Sequence, residues 1–397
     1  MSFYFWRIII KKWETRHEER NSKLLWELGS EKLGDGPLVK NHDKSPKVYF
    51  LYSGFESRGG GIVTHYTQLI EGLKKNGIEA RGVSLNDFTP FSYLLPLIER
   101  IVNLVFFPCG FLLRNSLCRI IWQRFLKQLE PGNCLIAFED IYTLPKDIRH
   151  KYLVFLHALK SDNLQGRRSA SFCLNKLHGV EKAILRNIRP ITVSEEYNSW
   201  VSQKLGCPKL RVLPIGFNPE EYLPGQKENI IAFVGNLEAR KNPYFALDVI
   251  ETLLKTRTNF QAVFLGSGPL YSKVKRRASF LGPNVKVHGT VPHNQVIKVL
   301  SKSKVLLLPS SKESFGAVLL EAKLSGCYTL ASQGLDVPSE LVDYSLPMNQ
   351  DLWVSTINRL LDNFSIDWDK RLFLAKKYDA KEIAIKMLDM LENFHDE

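Results

Sequence analysis

The chain has 397 residues, enough for two or three domains at about 150 residues each and for a core that needs no disulfide or metal staple. Its 44% hydrophobic and 24% charged residues exclude a disordered, collagen-like or multi-spanning membrane chain. With 54 Lys and Arg against 41 Asp and Glu, the formal charge is +13, so an anionic partner is expected.

The charge is unevenly placed. Residues 1–215 hold 32 Lys and Arg against 20 Asp and Glu, whereas residues 216–397 hold 22 against 21. One half is therefore expected to face something anionic, such as a lipid surface or an acidic substrate, while the other does separate work. Dispersed basic residues and the lack of any nucleic-acid module argue against nucleic acid. Cys109, Cys118, Cys134, Cys173, Cys207 and Cys327 show neither C-x-x-C nor zinc-ligand spacing and read as reduced structural thiols. At the N-terminus the apolar residues precede the basic ones and Arg7 interrupts them, the wrong order for a secretory signal, so cytoplasmic residence is expected.

After a polar lead-in, residues 47–52 (KVYFLY) read as a buried strand, followed by the loop Gly59-Gly60-Gly61 and a helix carrying Ile62, Tyr66, Leu69, Ile70 and Leu73 up to Gly77. Strand, Gly-rich turn and helix begin a βαβ unit, with the next strand at 78–83. Further strands are expected at 134–138, 152–156, 191–193 and 212–214. Ser194 N-caps a helix whose first turn carries Glu195 and Glu196. Residues 215–229 concentrate Pro, Gly and charge, the composition of a connection between domains. A second alternation follows: strand 230–234, a helix with Pro243 in its first turn, strand 260–265 before Gly266-Ser267-Gly268-Pro269, and strand 305–308 before a helix from about Gly316. The reading is α/β, with two doubly wound Rossmann-like domains facing across a cleft where strands end and ligands bind.

Two segments fall outside that pattern. The run 94–113 matches a membrane span in length, but Glu99 and Arg100 interrupt it and Pro108 and Gly110 break it, so no span is expected. Arg114, Arg119, Arg124 and Lys127 follow among Trp122, Phe125 and aliphatic residues, and with the aromatic, basic first thirteen residues they read as interfacial anchors on an anionic membrane.

Chemistry concentrates in 309–321 (PSSKESFGAVLLE). Glu313 in the loop and Glu321 in the helix can lie along one ligand, while backbone N–H groups at Phe315 and Gly316 meet an anion at the helix N-terminus. His157 ends strand 152–156, at the edge where an α/β site lies. Glu139 and Asp140 end the preceding strand and face either an acceptor or solvent.

From about Pro46 to Val342 the chain resembles retaining glycosyltransferases of the GT-B fold, family 4 type. The resemblance rests on the Gly59–Gly61 loop, Ile191-Thr192-Val193-Ser194, Val212-Leu213-Pro214-Ile215-Gly216-Phe217-Asn218, Phe233-Val234-Gly235-Asn236-Leu237 followed by Lys241, Phe264-Leu265-Gly266-Ser267-Gly268-Pro269, and E-x7-E ahead of Gly334 and Glu340. It implies an extension at 1–46 that is a candidate membrane-interface anchor, an acceptor domain at 47–215, a nucleotide-sugar domain at 216–378, and a terminal helix, 379–397, crossing back to the first domain.

The implied activity is hexosyl transfer with retention from a nucleotide-sugar donor to a glycan or lipid-linked acceptor, without a metal or other cofactor. By position, Glu313 would bind sugar hydroxyls, Glu321 the ribose, and Lys241 the diphosphate, with Arg240 beside it. Gly60, Gly61 and Gly266 lie in the loops that approach the donor, and His157 matches the histidine near the transferred sugar. The family usually has Arg directly after the glycine at Gly235, whereas this chain has Asn236. Arg240 or another cation then supplies the contact, or the chain is a non-catalytic partner in a membrane assembly. A same-fold nucleotide-sugar epimerase is the other alternative.

Overall fold

The computed structural model of the protein describes residues 47–52, 61–84, 87–88, 109–132, 134–139, 141–145, 147–159, 179, 181–185 and 187–393. The expected N-terminal anchor, Gly60, Asp140 and most of the run 94–113 lie outside them.

A first sheet is built from β1 (Lys47–Tyr52), β2 (Ala80–Ser84), β3 (Cys134–Phe138), β4 (Lys151–Leu156), β5 (Ile191–Thr192) and β6 (Arg211–Val212), all parallel, in the order β2-β1-β3-β4-β5-β6. A second contains β7 (Glu228–Val234), β8 (Gln261–Leu265), β9 (Val285–His288), β10 (Ser303–Leu308), β11 (Tyr328–Ser332) and β12 (Tyr344–Leu346), also parallel, in the order β12-β11-β10-β7-β8-β9. Each order reverses once, between β1 and β3 and between β7 and β10, and such reversals open a crevice at the carboxyl ends of the strands. The central strands are buried on both faces, as helix-covered parallel sheets require.

The helices are α1 (Gly61–Lys75), α2 (Cys109–Gln128), α3 (Glu195–Leu205), α4 (Pro243–Leu254), α5 (Tyr271–Phe280), α6 (His293–Lys302), α7 (Ala317–Leu324), α8 (Gln350–Asp362), α9 (Trp368–Lys377) and α10 (Ala380–Glu392). Ser194 accepts from Tyr197 N at 3.1 Å and starts α3, which Gly206 ends in the left-handed conformation. Pro243 opens α4, where its missing N–H costs nothing. The strand expected at 212–214 is shorter: β6 stops at Val212, although Leu213 N still donates to Thr192 O. Strands β9, β11 and β12 complete the second sheet.

Two crossings join the halves side by side. Phe217 N donates to Tyr378 O, and Ala380 N donates to Phe217 O, both at 2.9 Å. Beyond this bridge α10 packs on the first sheet, where Ile383, Ala384, Met387 and Leu391 share a core with Val48, Phe50, Leu69 and Leu73. Gly72 permits the contact: a Cβ there would lie 2.4 Å from Ala380 O. The polar side of the crossing is a cluster in which Asn218 accepts from Lys75 and donates to Glu71 and Glu221, while Gln68 bonds Asn218 N and Glu221.

In the basic segment after the apolar run, Trp122 is fully buried and Arg119 donates to Tyr142 O at 3.1 Å, while Arg124 and Lys127 are exposed. Among the described residues no helix is long and apolar enough to cross a membrane. Cys118, Cys134, Cys207 and Cys327 are free and buried, and burial pushes the Cys327 thiol up to about 11 against the pull of Lys227.

Candidate active site

At the reversal in the second sheet, β7 and β10 each end in a loop, and the two loops interlock. Gly235 follows β7 at φ +147°, and Gly266, following β8, lies so close that a Cβ on it would sit 2.0 Å from Gly235 O. Leu237 N donates to Ser267 O at 2.9 Å and holds the loops together. Gly266 thus supports the Gly235 loop, and no larger residue fits there. A short turn, Ala239–Lys241, leads to Asn242, a non-glycine residue in the left-handed region at φ +46°. Its side chain donates to Pro309 O at 2.9 Å, and Ser311 N donates to Arg240 O at 2.8 Å. The strained Asn242 is therefore locked to the loop that carries Glu313.

Lys241 Nζ lies 2.5 Å from Glu313 Oε1, and Arg240 Nη1 lies 3.5 Å from Glu313 Oε2. Arg240 also donates to Lys312 O and to Glu238, each at 2.8 Å. Glu313 is buried, at 8% exposure. Burial alone would raise its carboxyl, but the Lys241 and Arg240 charges outweigh this and hold it below the ordinary carboxylate value. Two cations and one carboxylate thus meet at the end of the crevice, where an incoming anion can take over the cations.

Gly316 at φ +72° turns the chain into α7, and a side chain there would press into Leu319. Phe315 is buried edge-on against Tyr378, with ring centroids 5.6 Å apart, so only its backbone is available to a ligand. Glu321, inside α7 and eight residues after Glu313, is buried and lies 2.9 Å from His293 Nε2 at the start of α6. Burial disfavours a charged His293, yet the Glu321 carboxylate wins and raises it above the ordinary imidazole value. Tyr222 reaches the same nitrogen at 3.4 Å. Sequence reasoning missed His293, because its partner stands on another helix 28 residues away.

The first sheet closes on this loop. Ser194 Oγ, while capping α3, donates to Ser314 O at 2.7 Å, and Val193 joins the same apolar cluster as Phe315. Leu156 pairs with Thr192, so His157 falls beside Val193, next to the Ser314 contact. A Cβ built at Gly61 would lie 4.0 Å from that of Ala317, which sets the N-termini of α1 and α7 against each other. His157 is 8% exposed, stacks on Phe155 at 5.5 Å between centroids, and has a buried Nε2 with no hydrogen-bond partner among the described residues. Burial pushes its imidazole down to about 3, so it is neutral. Glu139 lines a cavity of about 230 Å³ with Tyr52, Ile62, Tyr66 and Thr67, apart from the Lys241–Glu313 cluster. The site therefore gathers Lys241, Arg240, Glu313, Phe315, Gly316, Gly61 and His157 around one crevice. Glu321 sits deeper, with His293.

Two parallel doubly wound sheets facing across such a crevice define the GT-B fold. Sucrose-phosphate synthase from Thermosynechococcus elongatus superposes with a TM-score of 0.67 at 18% identity, over 88% of this chain and 99% of that one. HepE from Anabaena, solved with UDP and glucose, superposes with a TM-score of 0.60 at 14% identity, over 88% of this chain and 100% of that one. The glycosyl transferases group 1 family matches residues 215–365, the stretch that holds the second sheet. In sequence it is similar to the capsular polysaccharide biosynthesis glycosyltransferase CapH of Staphylococcus aureus, 27% identical over 248 residues, which are 54% of this chain and 69% of that protein. Its matches to two further relatives span 36% and 48% of their lengths.

Proposed function

We propose that the protein is a retaining, metal-independent glycosyltransferase of the family 4 type, which transfers a hexose from a nucleotide-sugar donor to a glycan or lipid-linked acceptor in polysaccharide or glycoconjugate biosynthesis. One observation carries the reading: Lys241 and Arg240 converge on the buried Glu313 at the crevice between β7 and β10. A donor diphosphate entering there takes Lys241 and Arg240 as counterions, with the N–H groups at Phe315 and Gly316 facing it at the N-terminus of α7. Arg240 stands in for a cation at Asn236. Glu313, released from Lys241, accepts from sugar hydroxyls, and Glu321 with His293 receives the ribose. As the bond from the anomeric carbon to the diphosphate oxygen breaks and the bond to the acceptor oxygen forms, negative charge grows on the diphosphate, whose departing oxygen takes the acceptor's hydroxyl proton. Fixed cations and amides stabilise that charge without a metal ion. His157, neutral, contributes hydrogen bonds to the sugar rather than charge.

The name of CapH favours a polysaccharide product, and the presence of UDP in the HepE structure favours a uridine nucleotide. The basic first half suits a lipid-linked acceptor on an anionic cytoplasmic membrane face, where the enzyme would sit as a peripheral protein.

Thermal unfolding with UDP, GDP, ADP or CMP tests the donor site, because a ligand at 100 times its Kd stabilises the native state by about 2.7 kcal/mol. The expected result is a shift with UDP that persists in EDTA and disappears in Lys241→Met, followed by NMR detection of a product with the donor's anomeric configuration. No shift with any nucleotide would turn the case toward a non-catalytic partner. A changed sugar nucleotide formed without acceptor would turn it toward an epimerase.

A further inference from the structure

His65 lies in α1, one turn after Gly61, and is completely buried. Neither of its ring nitrogens has a hydrogen-bond partner among the described residues. Its ring stands perpendicular to two others that are stacked on each other: Phe155, with centroids 5.3 Å away at 83°, and His157, at 5.2 Å and 85°. Tyr66 closes a third side of His157 at 5.8 Å. Three orphaned imidazole nitrogens, two on His65 and Nε2 on His157, are thus confined to one apolar pocket beneath the crevice.

A phenylalanine would fill the His65 position without leaving polar atoms dry, so packing alone does not account for an imidazole. Burial keeps both rings neutral, and His157 further lowers the tendency of His65 to charge. A neutral imidazole has one N–H and one lone pair, so two of them side by side are complementary. When the rings turn into line, nitrogens on their facing edges come within hydrogen-bond range.

We propose that His65 is a positioning residue: its ring N–H donates to His157 Nε2, which fixes His157 as the Nδ1–H tautomer and presents that N–H to the sugar in the crevice. This rests on the glycosyltransferase reading for the ligand but not for the pairing itself. The orientation of a second histidine sets the tautomer, as outer partners do for other functional imidazoles.

The test uses the full-length protein carrying His65→Phe or His65→Gln. Ring 15N shifts of His157, assigned by their loss in His157→Gln, should report a single tautomer in the parent protein and a mixture in His65→Phe, with the defined tautomer partly restored by the amide donor of His65→Gln. His65→Phe should melt at a higher temperature yet show kcat about tenfold lower, with the donor KM and the UDP-induced stabilisation unchanged. Identical His157 ring signals in the parent protein and His65→Phe overturn the proposal, as does an unchanged kcat. If the parent protein binds no nucleotide and transfers no sugar, the function reading fails, and the ring spectra still decide the role of His65.

Discussion

The two walls of the crevice solve opposite electrostatic problems. On the β7–β10 side Lys241 and Arg240 meet Glu313 within 3.5 Å, and Arg240 also pairs with Glu238, so two cations stand against two carboxylates. On the β4 side His65 and His157 are buried among aromatic rings, where desolvation keeps both uncharged. The difference teaches a division of labour. On the proposed reading, the wall that would meet a diphosphate holds preformed charge, balanced until the anion arrives. The wall that would meet the uncharged sugar from the other side holds neutral hydrogen-bonding groups, for which a charge would only add a desolvation cost.

The harshest test of this contrast is Glu313→Gln. Losing a contact made most strongly in the transition state costs about 10²–10³ in kcat. The same substitution frees Lys241 from its 2.5 Å partner, so UDP should stabilise the variant at least as well as the parent protein. Steady-state rates with a defined donor, set beside UDP melts, read both effects. A variant that loses UDP binding along with turnover would show that Glu313 builds the phosphate site, and its role toward the sugar hydroxyls would fall.

A weaker effect separates the walls by pH. His65 and His157 are held below the ordinary imidazole value of about 6.5, His157 at about 3. As the pH falls below about 6.5 the unfolded chain binds protons that these folded rings refuse, and His157 alone costs about 1.4 kcal/mol of stability per pH unit until its folded value is reached. His293 runs the other way. Its raised value means that the folded state binds the proton first, so its contribution is fully present below about 6.5 and fades as the pH rises through the folded value. Glu313 and Asp343, held low by neighbouring cations, give up their contribution only as the pH falls below about 4. Between pH 7 and 5 the first sheet should therefore lose stability while the second does not. Hydrogen exchange, corrected for intrinsic rates, should show β4 and α1 losing protection while β10 and α7 keep theirs, and His65→Phe should flatten the change. Equal losses in both sheets would remove the distinction.

What the sequence made legible follows the same asymmetry. The Gly235, Lys241 and Glu313 segments are contiguous runs in which strand, turn and helix N-terminus follow within a dozen residues, so the pattern placed them at strand ends and the resemblance to the family's motifs singled out Lys241 and Glu313. His65 and His293 had no such signal. Each acts on a partner brought close by tertiary packing, and along its own helix each looks like an ordinary polar position. Among the strands, β9, β11 and β12 escaped, and for β9 and β12 the reason is physical: they span four and three residues at opposite edges of the second sheet, with Val285 their one fully buried residue, so neither alternates clearly nor forms an apolar run. The core strand β10 announced itself as an unbroken apolar stretch, though it begins earlier than the expected residue 305, because Ser303 is buried yet polar.

The smallest effect concerns Gly61, which faces the N-terminus of α7 across the crevice. The glycine opens α1, and a methyl group there would rest 4.0 Å from Ala317, at ordinary van der Waals distance. Nothing in the fold demands glycine at this point, and alanine is the better helix former by up to about 1 kcal/mol. Gly61→Ala should therefore leave the melting temperature unchanged or slightly raised. If a phosphate comes up to this backbone, the added methyl takes space the ligand needs, and the UDP-induced shift should shrink by a few tenfold in Kd while the shift of the unliganded protein stays put. An unaltered Kd would mean that the β4 wall never touches the diphosphate, leaving the charged wall to bind it alone and making the contrast between the two sharper still.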